Sequence, residues 1–561
     1  MLVALAVLFA LVIARLVDLQ VVAPGHYAAA GLAQRLRTVP LTAERGSIFD
    51  RNGAELAMSV EQKTVWADPR EVHDATATAT ALAPLLGKDV AGLRSKLAQQ
   101  GAFAYLARQI DPALAAKIDA LHLAGVHLVD ESKRFDPAGL LARSVIGDVN
   151  LDNAGRSGLE AQYDASLLGV PGKLQIETGP DGRTIAGGRE HVTPAKRGSD
   201  LVLTIDRSLQ YEVERALADE MNQTSARHGT ALVMDPTTGE ILAMANLGRD
   251  DNDQPVPTTD NRALTVAFEP GSVNKAITMS GALEEGVVKP STVIDVPDQM
   301  RVSSAMFSDH EPHPPQKWTV TDILTQSSNI GTIKIAQQLG VPKTKEYLQK
   351  FGLGQTTGLD FPNETNGIMK SGHWDGTDIG SIPIGQGVAV NALQMLQVFN
   401  TLANGGVWVQ PQLVKEVVGP DGTETKSPAA STRRVVSQET AKQMTAMLEN
   451  VVKVGTGVNA KIDGYNVAGK TGTAKKPDEH GGYKSGAYFS SFIGFVPAEA
   501  PKLSAIVVLD EPHPYYAGQV SAPVFARVAQ YGLRLFKIPP PSQGLGVRVP
   551  SAKPTSVDRV D

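Results

Sequence analysis

The chain has 561 residues, 42% of them apolar, and a formal net charge of −6. That balance leaves no basic footprint for nucleic acid, and the length suits about three or four domains. The absence of cysteine excludes disulfides, thiolate zinc sites and a cysteine nucleophile.

The first element is apolar. Residues 2–14 carry no charge, but a span needs roughly 20 residues. Extension to residue 22 adds Arg15 and Asp18, which suit an interface, with Arg15 snorkelling outward. No convincing Ala-x-Ala cleavage site follows, so residues 1–23 are expected to be an uncleaved transmembrane signal anchor. No Lys or Arg precedes the run, and a start upstream of Met1 would explain both the short span and the missing cytoplasmic charges. A buried N-terminal helix is the other reading.

Residues 24–195 are expected to form one domain. A polar stalk leads to Arg45-Gly46-Ser47-Ile48-Phe49-Asp50-Arg51-Asn52-Gly53, where Asn-Gly signals a turn. Residues 69–123 read as a small helical insertion. Ala75, Ala79, Leu82 and Leu86 fall at helical spacing there, although Pro84 interrupts the pattern. Gly158-Leu159-Glu160 opens a further helix, and extended segments run on to residue 193.

Character changes near residues 194–200. A strand over 201–205 and an amphipathic helix over 209–221 follow. Next comes a hairpin, 230–234 with 240–245, around Asp235-Pro236-Thr237-Thr238-Gly239. A largely helical middle is expected from 272 to about 402. Segments 488–496 and 503–509 alternate like paired strands, and 523–536 suits a closing helix. From 538 to 561 the Pro-rich sequence has no periodicity and is expected to be disordered. Strands, then helices, then strands make residues 196–537 an α+β domain, an antiparallel sheet packed by helices.

Three motifs carry chemistry. Ser272-Val273-Asn274-Lys275 puts a hydroxyl and an amine one helical turn apart on one face. A serine needs a base to become a nucleophile, and a desolvated lysine can serve. Ser-x-x-Lys alone says little, since chance supplies roughly two in such a length. Ser327-Ser328-Asn329 offers a hydroxyl relay and an amide to hold a peptide, or simply a helix cap. Lys470-Thr471-Gly472-Thr473 is more specific, with about 0.1 Lys-Thr-Gly expected by chance. Gly472 would let a substrate backbone approach a strand edge, and Lys470 with the threonines would bind a carboxylate. The N–H of Thr473 would complete an oxyanion hole with that of Ser272.

Residues 464–471 also match the phosphate-loop pattern G-x-x-x-x-G-K-[ST]. That loop needs a helix starting at the lysine, and Gly472, Pro477, Gly481 and Gly482 oppose one. His310-Glu311-Pro312-His313 invites a zinc reading, but the prolines suggest a loop and the ligand set is incomplete. No cofactor or metal is expected.

The three motifs in this order resemble the penicilloyl serine transferases, for which closely related signatures are known. The chain resembles a class B penicillin-binding protein, specifically the division-type peptidoglycan D,D-transpeptidase, from the anchor to about Phe536. Arg45-Gly46, Asp50-Arg51-Asn52-Gly53, Gly158-x-Glu160, Leu203-Thr204-Ile205-Asp206, Gly385-Gln386-Gly387 and Ala522-Pro523-Val524-Phe525 fit as well. The resemblance implies an elongated pedestal of the dimerisation type beneath a β-lactamase-like transpeptidase domain. It implies acylation of Ser272 by the D-Ala-D-Ala end of a stem peptide, then transfer to a neighbouring stem's amine. Lys275 would be the general base. Ser327 and Lys470 would relay the proton, Asn329 would orient the substrate, and Thr471, Gly472 and Thr473 would bind it. β-Lactams would acylate Ser272 as mimics. Implied partners are a membrane glycosyltransferase of the shape, elongation, division and sporulation family and other divisome proteins. The implied location is the cytoplasmic membrane, with the bulk outside. An elongation-type transpeptidase, a β-lactamase or D,D-carboxypeptidase, and a non-catalytic division scaffold are the alternatives.

Overall fold

The computed structural model describes residues 1–18, 20, 35–101, 103–177, 179, 188, 190–478 and 480–541. The chain forms two compact units, Met1–Leu203 with Val414–Pro428, and Thr204–Leu413 with Ala429–Asp561. They part later than the boundary expected after residue 195. Residues 414–428 also leave the second half of the sequence to add strands Val414–Val418 and Glu424–Lys426 to the first unit's sheet. No local pattern signals that excursion, because strand partners are chosen by long-range pairing.

In the first unit, helix Leu2–Val17 has only exposed side chains. Among the described residues no helix is long and apolar enough to cross a membrane, and residues 19 and 21–23 of the expected anchor lie outside them. The long strand Glu55–Ala67 pairs with Ala104–Ile110 and Val126–Phe135. Helices Ala75–Leu86, Val90–Leu97 and Pro112–Asp119 bury Ala79, Leu82, Leu93, Leu97 and Ile118 with Val65 and Leu106. Pro84 falls in the last turn of its helix, and Gly87 at φ 61° then closes it.

Arg45 explains its motif. Fully buried, it donates to Glu160 Oε2 at 2.6 Å, Asp164 Oδ1 at 2.7 Å and the carbonyls of Asn153 and Glu160. Arg134 takes the other Glu160 oxygen and the carbonyl of Gly46. Gly46 must lack a side chain, since a Cβ there would fall 1.9 Å from Ser199 O. Asp50 Oδ1 accepts the N–H groups of Asn52 and Ala54, which makes the expected turn.

The second unit is built on a six-stranded antiparallel sheet. Its order is Pro255–Pro257, Ile241–Arg249, His228–Met234, Leu503–Asp510, Tyr483–Val496, Ala468–Pro477. Side chains alternate between faces along a strand. Leu503, Ala505, Val507 and Leu509 pack with Leu209, Val213 and Leu217 of helix Arg207–Thr224 and Phe525 and Val528 of helix Ala517–Leu535. On the other face Ser504 Oγ donates to Asn400 Oδ1 of helix Ala392–Ala403 at 2.7 Å. Both faces are covered, so every residue of Leu503–Asp510 is buried.

The middle is less helical than expected. Strands Val293–Val296 and Gln316–Thr319 pair, as do Gln299–Val302 and Ala305–Ser308. The tail is ordered further than expected. Ile538 packs on the core and its carbonyl accepts the Tyr465 hydroxyl at 2.6 Å, while 542–561 lie outside the described residues.

Candidate active site

Ser272 stands on a 3-10 turn, Gly271–Asn274, that runs into helix Lys275–Glu284. The turn is pinned from below by the segment containing Gly385-Gln386-Gly387. Gly271 N donates to Gly385 O at 3.0 Å, and Asn274 Nδ2 to Ile382 O at 2.7 Å. Gly385 has φ +83°, and a Cβ on it would come within 2.1 Å of Gly271 O. Only glycine serves at that contact.

Lys470-Thr471-Gly472-Thr473 lies on Ala468–Pro477, an edge strand of the sheet. A strand at Lys470, not a helix start, removes the phosphate-loop reading. Gly472 has a structural use in the frame of the site. Its Cβ would lie 2.5 Å from Ser491 Oγ, 2.8 Å from Pro270 O and 3.0 Å from Val273 Cγ1, so this glycine also lets the Ser272 turn approach the strand.

The two lysines are fully buried and meet at Ser327. Lys470 Nζ donates to Ser327 Oγ at 2.9 Å and to Thr471 O at 3.1 Å. Lys275 Nζ donates to Ser327 O, to Asn329 Oδ1 at 2.8 Å and to Ser327 Oγ at 3.3 Å. Lys275 thus faces the second motif rather than Ser272. Catalytic hydrogen bonds of this kind often form only with substrate bound. Burial lowers Lys275 to about 7, against the opposing pull of Asp309. Burial, with the neighbouring Lys275 charge, pushes Lys470 well below the ordinary lysine value. Amines near neutrality are suited to proton transfer. Ser327 itself holds φ 60°, an uncommon backbone state for a non-glycine residue.

The helix-cap reading of Ser327-Ser328-Asn329 holds at Ser328. Ser328 Oγ accepts Gly331 N and caps helix Asn329–Leu339, while its neighbours point at the lysines. Sequence reasoning missed Asp309, whose carboxylate accepts Ser328 Oγ at 2.7 Å, Ile330 N at 3.0 Å and Asn329 N. It also missed the ring column Tyr488–Tyr515–Tyr516, with His310 edge-on to Tyr516. Tyr516 adjoins Ala517, whose N–H reaches Thr473 Oγ1 at 3.4 Å. Of the suggested zinc ligands, His313 bonds Asp309 and Pro314 O, and His310 packs on Tyr516. Thr471 Oγ1 pairs with Thr456 Oγ1 at 2.7 Å.

Glu269, just before the turn, closes the frame. It accepts Gly387 N at 2.8 Å and the Tyr483 hydroxyl at 3.0 Å. Burial raises its carboxyl above the usual range, against those two bonds.

The family models agree with this architecture. Residues 229–530 match the penicillin binding protein transpeptidase domain, and residues 40–203 the penicillin-binding protein dimerisation domain. The chain belongs to the penicillin-binding protein transpeptidase family. It is 34% identical to Peptidoglycan D,D-transpeptidase FtsI of Escherichia coli K12, over 95% of this chain and 90% of that one. It is also 34% identical to penicillin-binding protein PbpB of Mycobacterium tuberculosis, over 89% of this chain and 78% of that one. Among solved structures, M. tuberculosis penicillin binding protein 3 with aztreonam aligns at a TM-score of 0.71 and 30% identity. That match covers 90% of this chain and 98% of that one. The family is class B, with dimerisation and transpeptidase domains, and the chain is a serine-type peptidoglycan D,D-transpeptidase of the FtsI and PbpB-like division type.

Proposed function

We propose that Ser272 forms the acyl-enzyme of this transpeptidase, with Lys275 as general base. The arrangement that carries this reading is the Ser327 hydroxyl held between two buried lysines, Lys275 one turn after Ser272 and Lys470 on the edge strand. Ser272 Oγ attacks the carbonyl of the penultimate D-Ala and its proton passes to Lys275. Collapse of the tetrahedral adduct breaks the peptide bond. Ser327, coupled to Lys470, delivers a proton to the leaving D-Ala amine. An amine of a second stem peptide then attacks the ester, and Ser272 is restored.

The stem peptide lies along the edge strand, with Asn329 orienting its amide and Lys470, Thr471 and Thr473 its carboxylate. N–H groups of Ser272 and Thr473 hold the oxyanion. β-Lactams acylate the same serine. Ampicillin and aztreonam complexes of the M. tuberculosis structure support that reading. The protein works from the cytoplasmic membrane, anchored through residues 1–23, with its bulk outside. It acts in septal synthesis beside a glycosyltransferase of the shape, elongation, division and sporulation family and other divisome proteins. No cofactor is required by these steps. The pedestal is residues 24–203 with 414–428, and the transpeptidase domain is residues 204–413 with 429–537.

The test is amine exchange on a pentapeptide ending in D-Ala-D-Ala, with a D-amino acid as acceptor, read by mass spectrometry. The expected product carries the acceptor in place of the terminal D-Ala, and Ser272→Ala makes none. Hydrolysis without exchange would indicate a carboxypeptidase, and equal turnover by Ser272→Ala would reject the nucleophile.

A further inference from the structure

Asp309 follows strand Ala305–Ser308 and enters the site from outside all three motifs. Both its oxygens accept from the second motif. Oδ1 accepts the backbone N–H groups of Asn329 and Ile330, and Oδ2 accepts the Ser328 hydroxyl. The preceding carbonyl, Ser308 O, accepts Asn329 Nδ2 at 2.9 Å. Asn329 is therefore held by its backbone and its amide nitrogen from one segment. Its remaining oxygen is left for Lys275 Nζ, at 2.8 Å. A carboxylate on the first N–H groups of a helix also gains from the helix dipole.

We propose that Asp309 is a positioning residue for acylation, fixing Ser328 and Asn329, and through them the Ser327 hydroxyl, against Lys275, and supplying a negative charge that Lys275 feels. This rests on the assignment of Ser272 and Lys275 above. Among the described residues no carboxylate bonds either lysine directly, so Asp309 acts on Lys275 through charge and through the second motif, and Lys470 faces Lys275 as a like charge.

A histidine modulates that charge. His313 Nε2 lies 3.0 Å from Asp309 Oδ2, and its Nδ1 lies 2.8 Å from Pro314 O. An acceptor faces each ring nitrogen, an arrangement that favours the protonated ring. The same bonds raise the His313 pKa, with Asp298 adding to the effect. The imidazolium offsets part of the Asp309 charge felt by Lys275. The groups facing Lys275 are therefore Lys470 from the edge strand and Asp309, backed by His313 and Asp298.

The signs follow. Acylation needs neutral Lys275. Loss of the Asp309 charge lets Lys275 shed its proton more easily, so the acid limb of the rate profile moves to lower pH. Loss of His313 leaves more negative charge near Lys275, and the limb moves to higher pH.

The experiment measures the second-order rate of labelling by a fluorescent penicillin against pH, on the full chain. The proteins are wild type, Asp309→Asn, Asp309→Glu and His313→Ala, each checked for an unchanged unfolding transition. Asp309→Asn is expected to lower the plateau by up to about 10²-fold, the weak end of acid–base effects, and to shift the limb down. His313→Ala is expected to shift it up, and Asp309→Glu to keep it near wild type. An unchanged Asp309→Asn rate, or a lower rate with the limb unmoved, would overturn the proposal. Failure of wild type to be labelled at Ser272 would instead reject the acyl-enzyme assignment.

Discussion

Lys470 reaches across from the edge strand to the hydroxyl of Ser327, 2.9 Å from its Nζ, while remaining fully buried. That one contact joins the second and third motifs. Lys275 reaches the same serine from the nucleophile's helix, so a single hydroxyl links all three. Burial holds both lysines below their ordinary proton affinity, and the Lys275 charge adds to that effect on Lys470.

The pH dependence of acylation follows from Lys275. The base works when neutral, and its pKa is lowered to about 7. Penicillin acylation is therefore expected to be slow below that pH, to rise through it and to level off above. A rate independent of pH between 5 and 9 would contradict the role of Lys275; those limits bracket the transition by about two units.

Substitution of the base tests the same group differently. Lys275→Ala removes the amine and leaves the acceptors Asn329 Oδ1 and Ser327 O without it. Acylation is expected to fall by about 10²–10⁴. The unfolding midpoint, followed by circular dichroism, separates loss of chemistry from loss of fold.

Gly385→Ala should act on the nucleophile from beneath. The left-handed backbone costs on the order of 1–3 kcal/mol for a non-glycine residue. The new Cβ would also strike Gly271 O. The expected result is a lower denaturation midpoint together with slower labelling of Ser272. A variant as stable and as reactive as wild type would refute the buttress.

In the first unit, Arg45→Ala strands Asp164 and part of Glu160, both partners of a fully buried guanidinium. Breaking such a pair typically costs about 3–5 kcal/mol. Limited proteolysis should cut the first unit of this variant well before that of wild type. Arg45→Lys should recover little, because a lysine cannot reproduce the fork of bonds to Glu160, Asp164 and Asn153.

Tyr483→Phe removes one of two hydrogen bonds to the buried Glu269 carboxylate. A cost of about 0.5–1.5 kcal/mol is expected, read as faster amide exchange in the hairpin of the two motif-side strands. Unchanged exchange there would mean the Glu269 clasp holds nothing.

Much of this site was legible in the sequence because its parts are local. Ser272 and Lys275 share a turn, and the run after Lys470 excludes a helix through its own glycines and proline. The strands 488–496 and 503–509 announced themselves by alternation and do pair. What was not legible depends on distant partners. Asp309 acts on residues some way along the chain, and an isolated aspartate in a Pro-rich stretch carries no pattern. Strands 414–418 and 424–426 look like surface hairpin in isolation, and only pairing with Asp200–Leu203 assigns them to the first unit. Gly472 could be read as a point of close approach, but not what approaches it. Residues 293–319 do not announce their strands, because each is four residues long, too short for periodicity to decide.

The most direct test is the intact mass of the protein after incubation with a penicillin, with Ser272→Ala in parallel. The predicted result is a stable adduct of the whole drug, mapped by peptide digestion to Ser272 and absent from the variant. An adduct retained by Ser272→Ala, or rapid drug loss without any adduct, would contradict a long-lived acyl-enzyme on Ser272.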